Sequence, residues 1–330
     1  MSAVLSNIPF NFLILAVSFL ILTKSADFLV DGAVGIAEAL RIPKIIIGIV
    51  LVSFGTTAPE FTVTMIAIIN GSAGIGLGNA LGSVIFNGTV ALAVAAIISA
   101  KPIPIEKRIL KTTGLFLVAV FIVSYGMSLD GTLTRWEGII LLLMLAGYLA
   151  FLVISESRER TKRQNDEVDE EVEEHERPGP LWLQAARFAA GLAGVIIASR
   201  LLVFSAQNIA VYFGVPEIVI GLTVIAIGTS LPELATCIVA ARKGHGDLAF
   251  GDIIGANVLN VLWIIGAASA VTGISVSKDI LLFAFPSVLV SVILVLVLAR
   301  MGYRLVRWNG WVLIAFYIAY FSVMIVQYFL

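Results

Sequence analysis

Ten stretches of about 20 predominantly apolar residues follow one another along this chain, at 10–34, 43–69, 77–100, 109–128, 136–155, 185–213, 216–241, 248–272, 278–300 and 308–328. A run of that length crosses roughly 30 Å of hydrocarbon as a helix, the form in which an isolated segment satisfies its own backbone N–H and C=O groups without water. The 13% of charged residues and a mean hydropathy of +1.04 leave no room for a folded soluble domain among the 330 residues. An all-α polytopic membrane protein is therefore predicted. Lys24 is the first charged side chain, so the first run lacks the basic flank of a cleavable signal and is expected to stay as helix 1.

Counted alternately on the two sides of the membrane, the loops place sixteen Lys and Arg on one side and only Arg135 and Lys278 on the other. The basic side is read as cytoplasmic, which puts both termini outside. The one strongly charged segment, SESRERTKRQNDEVDEEVEEHERPGP from Ser155 to Pro180, splits the ten runs into two sets of five. The expected organisation is a first five-helix unit at 1–155, a solvated cytoplasmic linker at 156–180 and a second unit at 181–330. The linker lacks the Gly and alternating Asp/Asn of a calcium loop. Cys237 is the only cysteine and reads as a small buried apolar residue.

The two sets of five are copies. IPKIIIGIVLVSFGTTAPEF returns as VPEIVIGLTVIAIGTSLPEL, and LGNALGSVIFN as FGDIIGANVLN. One ungapped offset of 173 residues relates Gly55 to Gly228, Thr56 to Thr229, Pro59 to Pro232, Glu60 to Glu233 and Asn87 to Asn260. Chance similarity between apolar helices matches Leu with Val, not Gly-Thr-x-x-Pro-Glu with itself. Five is odd, so the second copy enters the membrane from the opposite side. The prediction is ten transmembrane helices as two inverted five-helix repeats, with corresponding residues meeting near the midplane.

Glu60 and Glu233 should then face each other. A carboxylate in mid-bilayer costs about 2.5–3.5 kcal/mol on insertion scales, and two would repel each other. A bound cation removes both penalties. Oxygen donors surround the pair in sequence: Thr56, Thr57, Thr229 and Ser230 beside the glutamates, with Ser83, Asn87 and Asn260 on helices 3 and 8. Oxygen ligands without His or Cys select hard cations such as calcium or sodium. Thr56 and Glu60, Thr229 and Glu233, and Ser83 and Asn87 each stand four apart, on one helix face. Pro59 and Pro232 have no N–H for the carbonyls of Gly55 and Gly228, and are expected to free them as ligands.

GTTAPEF and GTSLPEL, each followed by a GxxxGxxxxN segment, resemble the paired repeats of the cation/calcium antiporter superfamily, in its sodium/calcium exchanger branch of prokaryotic type. The resemblance implies electrogenic exchange of calcium against sodium by alternating access, with helices 1 and 6 sliding past the other eight. It also implies a ligand set of Glu60, Glu233, Thr56, Thr57, Thr229, Ser230, Ser83 and Asn87, with backbone oxygens near Ser53 and Ala226. Ala256 stands where the family pattern has a serine, which puts one sodium site in question. Asn260, where some relatives carry aspartate, favours a potassium-independent exchanger.

The expected partners are calcium, sodium and the lipid bilayer of the cell (inner) membrane, with no cofactor, no nucleic acid and a monomeric chain. A calcium/proton antiporter of the same fold is the alternative. Asp252 is read as the N-cap opening helix 8, with a ligand role as the alternative, and Lys24, Asp27 and Asp31 as a self-neutralising trio on helix 1, with a place in the ion pathway as the alternative. A rival enzymatic reading rests on GHGD at 244–247, which fits the GxGD of some intramembrane proteases. Here it follows Arg242 and Lys243 and reads as a turn.

Overall fold

A computed structural model describes residues 8–166, 179–213 and 226–329. Helix α1 spans Ile8–Leu40, and α2 has two segments, Lys44–Thr56 and Ala58–Ile69. Then come α3 (Ala73–Ile98), α4 (Lys107–Ser128), α5 (Arg135–Asp166) and α6 (Leu181–Tyr212). The described part of α7 is Ala226–Thr229 and Leu231–Arg242, followed by α8 (Gly246–Thr272), α9 (Ile280–Arg300) and α10 (Arg307–Phe329). Among the described residues eight helices are long and apolar enough to cross a membrane, or nine with bent α2 as one span. The remaining expected run, 216–241, lies partly outside the described residues. Helix α5 runs on past Ser155 to Asp166, because the start of the expected linker is rich in the helix formers Glu, Arg, Lys and Gln.

Four two-residue strands settle how the halves are oriented. Strand β1 (Ile103–Pro104) follows α3, β2 (Thr132–Leu133) follows α4, β3 (Ile274–Ser275) follows α8 and β4 (Arg304–Leu305) follows α9. Strand β1 pairs antiparallel with β4, and β2 with β3. The 22 residues of α4 separate β1 from β2, a length of about 33 Å at 1.5 Å per residue. The exit of α3 and the exit of α8 therefore lie at opposite ends of the bundle. Helices that match in sequence run in opposite directions, as inversion requires.

The basic connections gather at one end. Lys44 Nζ lies 3.3 Å from His245 Nδ1, which joins the α1–α2 and α7–α8 connections. Strand β1 lies near the start of α8, since a Cβ on Gly246 would come within 2.7 Å of Ile103. Arg135 and Lys278 flank the β2–β3 ribbon at the other end.

Close backbone approach positions the midplane. A Cβ at Gly251 would sit 2.3 Å from the Ile45 carbonyl oxygen, and one at Gly255 would sit 2.4 Å from that of Ile49. Glycine at these points lets α8 lie directly against the first segment of α2. Helices α1 and α6 pack along each other in the same manner, with Gly191 against the Leu29 backbone.

Candidate cation site

The α2 break falls at Thr57 (φ −76°, ψ −4°), and the two segments meet at 45°. The α7 break falls at Ser230 (φ −90°, ψ 8°), the residue 173 positions later. In each, the proline sits in the first turn of the new segment, where its missing N–H is no loss, and the glutamate follows in that turn. The break thus creates a helix N-terminus inside the bundle, and its partial positive charge favours the carboxylate beside it. The carbonyl of Gly55 is not freed as expected: a backbone N–H at the end of the first segment bonds to it. The chain tightens at the break, and this bond replaces the one that proline removes.

Glu60, Glu233, Thr56, Thr57, Ser230, Ser53, Asn87 and Asn260 are fully buried, and Ser83 and Thr229 nearly so. The hydrogen bonds run between halves. Thr57 Oγ1 donates to Glu233 Oε1 at 3.3 Å, and Ser230 Oγ donates to Glu60 Oε1 at 3.1 Å. These bonds are exchanged by the 173-residue offset. So is a second pair, Thr56 Oγ1 to Asp252 Oδ1 at 3.3 Å and Thr229 Oγ1 to Asn79 Oδ1 at 3.0 Å. Asn79 is held in turn, its Nδ2 donating to Thr64 Oγ1 at 3.0 Å and to the Glu60 carbonyl at 3.4 Å.

The symmetry is incomplete. Ser83 Oγ lies 3.1 Å from Ser230 Oγ, whereas the corresponding position on α8 is the buried Ala256. Asn87 and Asn260 each open a π-helical turn, Asn87–Ala91 and Asn260–Ile265, a distortion frequent at functional sites. The Ser53 hydroxyl turns back to the Ile49 carbonyl, and its own carbonyl, an expected ligand, accepts the Thr57 N–H at 3.0 Å. Ala226 begins the described part of α7.

One oxygen of each carboxylate, Glu60 Oε2, Glu233 Oε2 and Asp252 Oδ2, is buried with no hydrogen-bond partner, as are the side chain of Asn87 and Oδ1 of Asn260. Buried polar atoms of this kind carry a desolvation cost unless something pairs with them. The unpaired oxygens of Glu60 and Glu233 are acceptors of the kind a cation can pair with.

Two expectations outside the glutamate pair are corrected. Asp252 is not an N-cap: α8 starts at Gly246, with His245 at the N-cap position, so Asp252 lies inside the helix, fully buried against Thr56. The GHGD segment supplies the turn, with Gly244 at φ +82°, which moves the helix start upstream of Asp252. The cation that meets Asp27 and Asp31 is Lys243, at 3.2 and 2.7 Å, in place of the expected trio with Lys24. Lys243 comes from the α7–α8 connection, a contact that local spacing on α1 does not reveal.

The family described as sodium/calcium exchanger protein matches residues 10–154 and 183–326. The inner membrane protein YrbG of Escherichia coli is 36% identical over 260 residues, 78% of this chain and 79% of the relative. The sodium/calcium exchanger MaX1 of Methanosarcina acetivorans is 28% identical over 348 residues, 96% of this chain and 99% of the relative. Among solved structures, the sodium-calcium exchanger NCX_Mj superposes with a TM-score of 0.82 at 26% identity, over 96% of this chain and 99% of that one. The chain belongs to the sodium/calcium exchanger family, within the cation/calcium antiporters.

Proposed function

We propose that this multi-pass membrane protein exchanges calcium for sodium by alternating access, with both cations bound at the midplane by Glu60 and Glu233. One observation carries the reading: each buried glutamate accepts a hydroxyl from the opposite repeat and keeps one oxygen unpaired. The hydroxyl oxygens of Thr56, Thr57, Thr229, Ser230 and Ser83, with the amides of Asn87 and Asn260, complete an oxygen-only donor set for hard cations. Backbone oxygens near Ser53 and Ala226 add to it. Calcium, with its flexible coordination of 6–8 oxygens, can span ligands from both repeats, and sodium ions can share the same carboxylates in its place.

In this reading the units 1–155 and 181–330, joined through 156–180, rock about the fixed site, and α1 with α6 forms the moving part. The basic end of the bundle faces the cytoplasm, with both termini outside. The chain works as a monomer in the cell membrane, with the ions as cargo and no resident cofactor. The test is radiolabelled calcium uptake into proteoliposomes loaded with sodium, beside potassium-loaded and pH-jumped controls. Uptake that requires internal sodium supports the reading; uptake that ignores sodium and follows the pH gradient replaces it with calcium/proton exchange.

A further inference from the structure

We propose that Asp252 is a positioning residue of the cation site, which turns the Thr56 hydroxyl proton away from the ion and strengthens its oxygen as a ligand. The inference rests on the function proposed above. A hydroxyl has one proton and two lone pairs, so it serves a cation when its proton is engaged elsewhere. Around Thr56 Oγ1 lie the Val52 carbonyl at 3.2 Å, Asp252 Oδ1 at 3.3 Å and the Ser53 carbonyl at 3.4 Å. Of these the Asp252 carboxyl is the acceptor that comes from the other repeat.

The other half performs the same task with a neutral group. Thr229 donates to Asn79 Oδ1 at 3.0 Å, and the Asn79 amide is fixed in that sense because its nitrogen donates to Thr64 and to the Glu60 carbonyl. Each threonine hydroxyl thus meets a side chain at the equivalent position of the other repeat, an acid on α8 and an amide on α3. An acid in one half and an amide in the other make the two threonine ligands unequal.

Groups that orient a metal ligand without touching the metal typically contribute about 10–100-fold to affinity. The test is equilibrium calcium and sodium binding to the purified full-length chain, with uptake kinetics alongside. Asp252→Asn is expected to raise half-saturating calcium about tenfold. Asp252→Glu, which keeps the charge, should bind calcium better than Asp252→Asn. In a Thr56→Ala background, Asp252→Asn should cost little more, read by calcium-induced thermal stabilisation. Equal calcium affinity in wild type and Asp252→Asn would overturn the inference alone, as would full additivity with Thr56→Ala. A wild-type chain that binds no calcium would overturn the exchange reading, and this inference with it.

Discussion

Thr57 on α2 donates its hydroxyl to Glu233 on α7 across 3.3 Å. The reciprocal bond, Ser230 to Glu60 at 3.1 Å, makes each repeat the support of the other's carboxylate. Neither half can form this site alone, so a change on either side of a bond should be felt at both glutamates.

Removing one hydroxyl from this ring leaves a buried carboxylate oxygen short of a donor. A hydrogen bond to a charged group contributes about 1.5–3 kcal/mol, so Thr57→Val and Ser230→Ala should each raise half-saturating calcium by at least about tenfold. Ser230→Ala should cost more, since Ser230 also meets Ser83, whereas the equivalent position of the other repeat is Ala256, which has no hydroxyl. Calcium titration of the two purified variants checks the order.

The α2–α8 contact predicts a stability effect separate from ion binding. Gly255→Ala drives a methyl group toward the Ile49 carbonyl and the Ser53 hydroxyl, and overpacking of this kind costs about 1–3 kcal/mol. Gly126→Ala, on the exposed side of α4 with no described atom within 4 Å of the added carbon, serves as control. Thermal unfolding in detergent should separate them clearly.

Lys243 ties α1 to the α7–α8 connection through Asp27 and Asp31. If α1 moves during transport, these partly exposed pairs hold the present arrangement by no more than about 1 kcal/mol. Lys243→Met should then speed turnover by up to about fivefold and leave calcium affinity unchanged. A loss of affinity would place Lys243 in the ion path instead.

His245, at the basic end of the bundle, is half-buried and lies beside the Lys44 ammonium. Burial and then the neighbouring positive charge lower its pKa below the usual 6.5. The unfolded chain therefore takes up this proton first as pH falls, and stability declines once pH drops below the ordinary histidine value. Above pH 7 the group is neutral in both states and contributes no slope. Melting points of wild type and His245→Gln from pH 7.5 to 5.5 should converge as the wild type loses this contribution.

The sequence made the spans, the breaks and the glutamate pair legible, because proline inside an apolar run and an ungapped repeat are strong local signals. The partner exchange between Thr57 and Ser230 follows from inversion once the repeat is seen. Asp252 was hidden by a boundary: an acid just past a Gly-rich turn has the look of an N-cap, although α8 starts at Gly246. The signal that exposes it is the offset itself, which pairs Asp252 with Asn79 as it pairs Thr56 with Thr229. The two ribbons were illegible because two-residue strands have no period to detect. The Lys243 contact joins residues more than 200 positions apart, beyond any local spacing rule.

The central claim is that one cation site is shared by two inverted halves. Sodium-driven uptake of radiolabelled calcium, measured side by side for wild type, Glu60→Gln and Glu233→Gln, tests it most directly. Wild type should take up calcium only with sodium inside, and each glutamine variant should fold normally yet transport none. Retained uptake in either variant would contradict the shared site.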